Sequence, residues 1–490
     1  YGVDYVDSMA PVAKLSTFRV LLAEGARRGM DIDFVDIRSA YLQAKLKIKQ
    51  YMKPPEGVPP PKPGMVMRLD RALPGTTQAG REWHKQIHGK MIGWGFKVSA
   101  ADPCLYVKWS KDGQTVQRVL LFVDDLAIFT DSTEEGRRMR KDLTDAITKA
   151  GYKYSQDDAA DHYLGMRVQR VGGKQTTIFL SQTRYLEDIK IKFGYSEEPF
   201  KEVHRPAMAG KVSALDCWGH TAETRATGGL VPAGVNPKHN KDGTRYREMC
   251  GVLRWVEQCT RPDISATLSE LCKVQINPGM DHVRRMDHLM RYVFTTMNLG
   301  LLYGGPKRET ASGVLVGYCD SDWSGDYLVD GSSRGGHLMT CWQTPVSWAS
   351  FKLKAVAASS CEAEYMAASQ LAREARWMRY LLSDLGYGDL RVTDYGKFCD
   401  KDYAKVRMSD LVDRKERPIM CCGDNKGANA ITENPVLHRR TKHIHIRYHL
   451  VRAEVQKGHL TFVYINTKEN IADLLTKGLV RVTHRYLVDK

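Results

Sequence analysis

Val119-Leu120-Leu121-Phe122-Val123-Asp124-Asp125-Leu126-Ala127-Ile128-Phe129 sets two adjacent acids inside an apolar run. Apolar residues on both sides read as two buried strands joined by a tight turn, with Asp124 and Asp125 at its tip. Asp is ordinary turn chemistry, so the pair alone says no more than hairpin. A third acid changes the reading. Asp36 closes a second apolar stretch, Ile32-Asp33-Phe34-Val35, and the sequence permits, without requiring, that it meet the turn at one edge of a sheet. Carboxylates brought together repel one another and raise each other's pKa unless cations neutralise them. Two divalent metals about 3.5 to 4 Å apart stabilise the attacking and leaving oxygens of a phosphoryl displacement. Hard carboxylate oxygens suit Mg²⁺. The three acids therefore fit a two-metal phosphoryl-transfer site.

The rest of the composition narrows the class. At 490 residues the chain exceeds what one core usually serves, so two or three domains are expected. A hydrophobic share of 42% and the lack of any run of about eighteen apolar residues describe a globular chain without a membrane span. The formal charge of +16 favours an anionic partner, with nucleic acid the leading candidate. Eleven cysteines at irregular intervals, with no C-x-x-C, fit neither a zinc ribbon nor a disulfide framework and read as reduced thiols. The opening Tyr1-Gly2-Val3-Asp4 shows neither an initiator Met nor a signal peptide, so a piece of something longer is expected.

Along the chain, Ser16 is placed to cap a helix carrying Phe18, Leu21, Leu22 and Ala26, which Gly29 stops. Arg81 to Met91 reads as a further helix, and Gly172-Gly173 as a hairpin turn. Residues 206–243 are rich in Pro, Gly and Thr and look like a linker or insertion. Residues 245–302 read as helical, broken at Pro262, Pro278 and Gly279. From Val314 strands return, and Ser359 with Glu362 forms a capping box opening a long helix through Trp377. Strands at Ile419–Cys422 and Leu460–Ile465 and a helix over Asn470–Leu479 close the chain.

This second half holds Asp320, Glu364, Asp424 and Asp473, each beside a strand end or in the first turns of a helix. Singly, each is explained by capping and the helix dipole. As a set they are candidates for a second convergent carboxylate cluster.

With those residues in hand, the chain resembles the reverse transcriptase and ribonuclease H part of copia-type retrotransposon Pol polyproteins. The ordered motifs are Tyr5 to Leu15 (YVDSMAPVAKL), Asp36-Ile37-Arg38-Ser39-Ala40-Tyr41-Leu42, Tyr51 to Gly57 (YMKPPEG), Phe122-Val123-Asp124-Asp125, Tyr163-Leu164-Gly165, Thr260-Arg261-Pro262-Asp263-Ile264 and the four acidic segments. The resemblance implies an α+β, α/β multidomain chain. Its parts are a polymerase palm with partial fingers over 1–185, a helical thumb and connection over 186–306, and a ribonuclease H-like domain over 307–490. It makes Asp36, Asp124 and Asp125 the polymerase acids and Asp320, Glu364, Asp424 and Asp473 the ribonuclease H tetrad, each set holding two Mg²⁺ or Mn²⁺.

Tyr41 falls where the family carries an aromatic gate against a ribose 2′-hydroxyl, and Gln78 and Arg81 in the motif nearest the incoming nucleotide and template. That motif, usually LYGLKQAPRAW, stands here as Leu73-Pro74-Gly75-Thr76-Thr77-Gln78-Ala79-Gly80-Arg81-Glu82-Trp83, without its aromatic, Lys and second Pro. The family's Lys- and Arg-bearing fingers strands would lie upstream of Tyr1. Between His438 and His449, His445 and His449 are one helical turn apart, but interleaved Arg440, Lys442 and Arg447 suit phosphate contact better than zinc.

The expected partners are an RNA template, a DNA primer, RNA–DNA hybrid and deoxynucleoside triphosphates, with protease and integrase parts of the same polyprotein and no membrane. The expected setting is a cytoplasmic virus-like particle, the DNA product being destined for the nucleus. A rival reading is a nucleic-acid-binding remnant that keeps fold and charge without turnover.

Overall fold

The computed structural model describes residues 9–59, 62, 64–155, 162–171, 177–196, 200–208, 241–275, 278–304, 315–326, 332–387, 418–433 and 446–490. They form two compact units. The first runs to Leu164 and includes Tyr380–Gly386; the second takes in Gly165–Gly172, Thr177–Arg379 and Tyr387–Lys490. No helix of the described residues is long and apolar enough to cross a membrane.

The first unit is built on a sheet with six strands among the described residues. Their order is Lys97–Val98, Leu105–Trp109, Val116–Phe122, Asp125–Thr130, Asp31–Ile37 and Tyr154–Ser155. All its described ladders are antiparallel. Helix Leu15–Arg28 lays Phe18, Leu21 and Leu22 into the core, and the Phe18 and Phe129 rings lie 6.3 Å apart. Burying side chains of this kind stabilises by roughly 1.5 to 3 kcal/mol each. The helix starts one residue earlier than Ser16 suggests: Lys14 is the N-cap, with no side-chain bond, and Ser16 is buried inside the helix. Gly29 ends it as expected, at φ 69°, where a side chain would be strained. Glu24 on this helix forms a fully buried ion pair with Arg118 on the Val116–Phe122 strand, 2.7 Å apart.

The second unit begins with the hairpin of Met166–Val171 and Thr177–Ser181, extended by strand Leu301–Tyr303. Helices Thr183–Lys192, Lys241–Cys259, Ser265–Cys272 and Met280–Thr295 share a core that includes Leu186, Leu253, Val256, Leu268, Leu289 and Val293. The breaks fall where Pro262, Pro278 and Gly279 place them. Within this core Arg261 is bidentate to Asp263 at 2.8 Å on both oxygens, and Tyr292 donates to the same carboxylate at 2.7 Å. Burial pushes Asp263 up, but the Arg261 guanidinium and these hydrogen bonds hold it below the usual carboxylate range. The Arg261-Pro262-Asp263 motif is therefore a buried brace.

A second sheet follows, with five strands among the described residues in the order Thr344–Lys352, Ser332–Cys341, Leu315–Asp326, Ile419–Gly423 and Leu460–Tyr464. The first three pair antiparallel and the last two join in parallel. Helix Ser360–Asp384 packs on it so closely that a Cβ at Gly317 would come within 2.7 Å of Leu371. Its start matches the sequence: Glu362 N–H donates to Ser359 Oγ at 3.2 Å, while Glu362 Oε2 accepts from Ala358 N–H at 2.7 Å. The helix expected over Asn470–Leu479 is instead a short 3₁₀ turn, Ile471–Leu475, with Asn470 as its cap. The insertion 206–243 lies outside the described residues from 209 to 240, as does 388–417 throughout.

Candidate active sites

The acids of the first unit meet through strand register. Asp31–Ile37 and Asp125–Thr130 pair so that Asp36 stands opposite Asp125, and Ile37 N–H donates to Asp124 O at 3.0 Å. The tip of the hairpin is Val123-Asp124, since Phe122 already pairs with Asp125 and Asp125 opens the second strand. Val123 sits at φ 59°, a left-handed conformation that a β-branched residue adopts at a cost of order 1–3 kcal/mol. Trp83 Nε1 donates to Val123 O at 2.6 Å and fixes that tip to helix Ala79–Gly93.

Burial, then Asp124 and then Asp36, push Asp125 up to about 6. Burial foremost, with Asp36 adding, also raises Asp124. Ser155 Oγ lies 3.4 Å from Asp36 Oδ2. Tyr41 lies on the short helix Ala40–Gln43, and a Cβ at Gly80 would lie 3.9 Å from its Cε1 and 4.0 Å from its hydroxyl. Gln78 is the buried N-cap residue of the Ala79–Gly93 helix, and its Oε1 has no hydrogen-bond partner. Arg81 lies in the first turn of the same helix.

In the second unit the acids converge more tightly. Ligand oxygens of Asp320, Asp424 and Asp473 all lie within 4.8 Å of one another, the one such group of three among the described residues. Three elements build it. Asp320 lies on the central Leu315–Asp326 strand, Asp424 follows the neighbouring Ile419–Gly423 strand, and Asp473 stands in the Ile471–Leu475 turn. Glu364, on the second turn of helix Ser360–Asp384, accepts from Ser321 N–H at 3.1 Å, one residue beyond Asp320.

Burial, then Asp320 and Asp424, push Glu364 up to about 9. Burial and Asp320 push Asp473 up to about 7 against the pull of Lys477. Burial and Asp320 likewise raise Asp424, opposed by a hydrogen bond from Thr467 and by Lys477. Gathered, partly buried carboxylates of this kind are the hard-oxygen donor set that fits Mg²⁺ or Mn²⁺. Asp320, Asp424, Asp473 and Glu364 would hold such an ion here.

Comparison with known proteins gives the family. Residues 1–203 match the family model for Reverse transcriptase (RNA-dependent DNA polymerase). Over 491 aligned residues the chain is 30% identical to the Retrovirus-related Pol polyprotein from transposon RE1 of Arabidopsis thaliana, covering all of this chain and 29% of that protein. The chain belongs to the copia-type Pol polyproteins. It is also 28% identical, over 98% of its length, to the Retrovirus-related Pol polyprotein from transposon TNT 1-94 of Nicotiana tabacum, covering 32% of that protein. The chain thus spans about a third of the length of these curated relatives.

Among solved structures, the native Prototype Foamy Virus Protease-Reverse Transcriptase aligns with 94% of the chain and 46% of its own, at 11% identity. The TM-score of that alignment is 0.22. The mixed helix-and-sheet, multidomain fold expected for a copia-type Pol segment is the fold observed.

Several residues that hold this Pol chain's acids in place carry no signal in a single sequence. Asn470 is fully buried. Its Nδ2 donates to Cys319 O at 3.0 Å while its Oδ1 accepts from Ala472 N–H, so one amide both caps the Asp473 turn and ties it to the strand beside Asp320. Gly336 pairs with Asp320 across the sheet, and a Cβ there would meet Leu475 Cβ at 2.7 Å and Thr476 Cγ2 at 2.9 Å. Only a bare backbone lets the turn approach. Trp83 and Lys477 complete the set. Lys477, at i+4 from Asp473, pairs with it at 2.9 Å and also lies 3.6 Å from Asp320. Arg440 and Lys442 lie outside the described residues, and Arg447 lies in a short 3₁₀ turn, Ile446–His449. His445 is likewise outside them, while His449 Nδ1 lies 3.1 Å from the Tyr365 hydroxyl.

Proposed function

We propose that the first unit extends a DNA primer on an RNA or DNA template and that the second hydrolyses the RNA strand of an RNA–DNA hybrid. The observation that carries the second half is the convergence of Asp320, Asp424 and Asp473 within 4.8 Å, with Glu364 bonded one residue away. The first half rests on the facing pair Asp36 and Asp125 and on the reverse transcriptase family match. Divalent ions held by these carboxylates would supply charge neutralisation to the oxygens of an in-line displacement at phosphorus.

The chain's own residues do the positioning. Trp83 holds the Val123-Asp124 tip, Tyr41 beside Gly80 is assigned to the sugar of the incoming nucleotide, and Asn470 and Gly336 hold the Asp473 turn against Asp320. Gln78 and Arg81 are assigned to the nucleotide and template, and Arg440, Lys442 and Arg447 to phosphates. The division at 185 and 306 into palm, thumb and connection, and ribonuclease H-like domain is part of the same reading. So are a longer polyprotein with protease and integrase parts and a particle in the cytoplasm.

The altered Leu73 to Trp83 segment favours a second reading, a hybrid-binding protein without turnover. The two part on one experiment: Mg²⁺-dependent cleavage of a labelled RNA–DNA hybrid beside primer extension on RNA, with Asp424→Asn and Asp124→Asn variants. Cleavage lost only in the first variant and extension lost only in the second supports two working sites. Hybrid binding with neither activity in the parent protein supports the second reading.

A further inference from the structure

Lys477 enters the carboxylate cluster of the second unit from its solvent side. Its Nζ lies 2.9 Å from Asp473 Oδ1 and 3.6 Å from Asp320 Oδ2. The lysine side chain is 36% exposed while those of Asp473 and Asp320 are 5% and 2% exposed. Thr476, the preceding residue, donates its hydroxyl to the same Asp320 Oδ2. The ammonium therefore faces two of the three carboxylates whose ligand oxygens gather within 4.8 Å. It brings positive charge to the place where a divalent ion would bring it, as a compact point charge on a flexible stem.

We propose that Lys477 is the resident counter-cation of this cluster: its ammonium holds Asp320 and Asp473 together in the metal-free protein, and it must leave their oxygens before a divalent ion binds. The proposal rests on the reading of the four acids as a metal site. Its consequence has the opposite sign to that of an ordinary supporting residue. Removing a hydrogen-bond partner behind a metal ligand weakens binding of the metal. Removing Lys477 strengthens binding, because a competitor is gone, and weakens the metal-free fold, because four acids then face one another without their cation.

The test uses the full chain with Asp36→Asn, Asp124→Asn and Asp125→Asn, so that the first unit's acids do not contribute. Mn²⁺ binding is followed by electron paramagnetic resonance, and thermal unfolding is followed in EDTA and in saturating Mn²⁺. Lys477→Met is expected to bind Mn²⁺ about threefold or more tightly, the scale of a partly exposed ion pair that no longer has to be displaced. It is also expected to unfold at lower temperature in EDTA but not in saturating Mn²⁺. Lys477→Arg should restore the unfolding temperature in EDTA and bind Mn²⁺ no more tightly than the parent.

Unchanged or weaker Mn²⁺ binding by Lys477→Met overturns the proposal and leaves the metal reading standing, provided Asp424→Asn loses the ion. If Asp424→Asn binds Mn²⁺ as the parent does, the metal reading itself fails and takes the proposal with it. Should Lys477→Met fold only with metal, it is prepared loaded and titrated with EDTA: a need for more chelator than the parent supports the proposal, and a need for less overturns it.

Discussion

The two units assemble the same kind of side chain in different ways. In the first, Asp36 and Asp125 face each other across a sheet and Asp124 stands on a strained hairpin tip; together they do not reach the 4.8 Å grouping found in the second. In the second, strand, strand end and 3₁₀ turn drive three acids together, with a lysine already among them. Burial and neighbouring acids push Asp125 up to about 6, but Glu364 up to about 9 and Asp473 up to about 7. On the proposal above, the tightly gathered cluster carries its own cation in Lys477, which lies 2.9 Å from Asp473 Oδ1.

The sharpest way to break this comparison is to remove one acid from each side. Asp424→Asn should cut hybrid cleavage by well over about a hundredfold, beyond the loss typical of residues that merely support a metal ligand. Primer extension should be untouched. Asp125→Asn should do the converse, and loss of both activities in either variant would show that the units do not work independently. Steady-state rates on hybrid and on primed template decide.

Next in size is Gly336→Val, which drives Leu475 and Thr476 off the strand opposite Asp320 and takes Asp473 with them. Overpacking of this kind costs typically 1–3 kcal/mol. We expect cleavage to fall at least about tenfold with extension unchanged; equal losses in both would point to general unfolding, which circular dichroism would show.

A pH series sharpens the comparison further. Groups whose folded pKa is raised contribute stability that is fully present below their unfolded pKa and is lost as pH rises through the folded one. For Glu364 that window runs from 4.5 to about 9 and for Asp473 from 3.8 to about 7, but for Asp125 only from 3.8 to about 6. In EDTA, Tm should therefore decline as pH rises from 6 to about 9, mainly through the second unit. The gain in Tm on adding Mg²⁺ should widen over the same range, since the metal takes the place of released protons. A gain in Tm that stays flat with pH would contradict the gathered cluster.

The smallest effect on turnover is expected from Trp83→Phe, which removes the N–H donated to Val123 O together with part of a buried ring. The smaller ring and the unpaired carbonyl should together cost about 1–3 kcal/mol of stability, with a modest fall in extension and none in cleavage. Denaturant titration beside the two assays checks it.

Much of this was legible in the residues. The hairpin around Asp124, the helix stopped at Gly29, the Ser359 and Glu362 cap and the strand ends at Asp424 all depend on short-range patterning, which a chain displays openly. What stayed hidden depends on partners distant in sequence. Asp36 faces Asp125, 89 positions away, through a ladder between distant strands, and nothing in either strand announces that register. Ser16 looked like a cap by type, yet the core claimed it. The segment after Asn470 looked helical by composition, yet it is a tight 3₁₀ turn tied to Cys319 by the Asn470 amide. Gly336 and Lys477 are ordinary residues in the sequence and acquire meaning only from what lies across from them.

The ladder between Asp31–Ile37 and Asp125–Thr130 has a consequence for tolerance to change. A strand pair aligns in whole residues, and a slip of one turns every side chain to the opposite face. The meeting of Asp36 with Asp125 is therefore digital rather than graded. Insertions and deletions in the connections between these strands leave the alignment intact so long as the two strands keep their pairing. A single residue added within either strand moves one acid to the wrong side, which makes the meeting of these acids far more sensitive to where a length change falls than to how large it is.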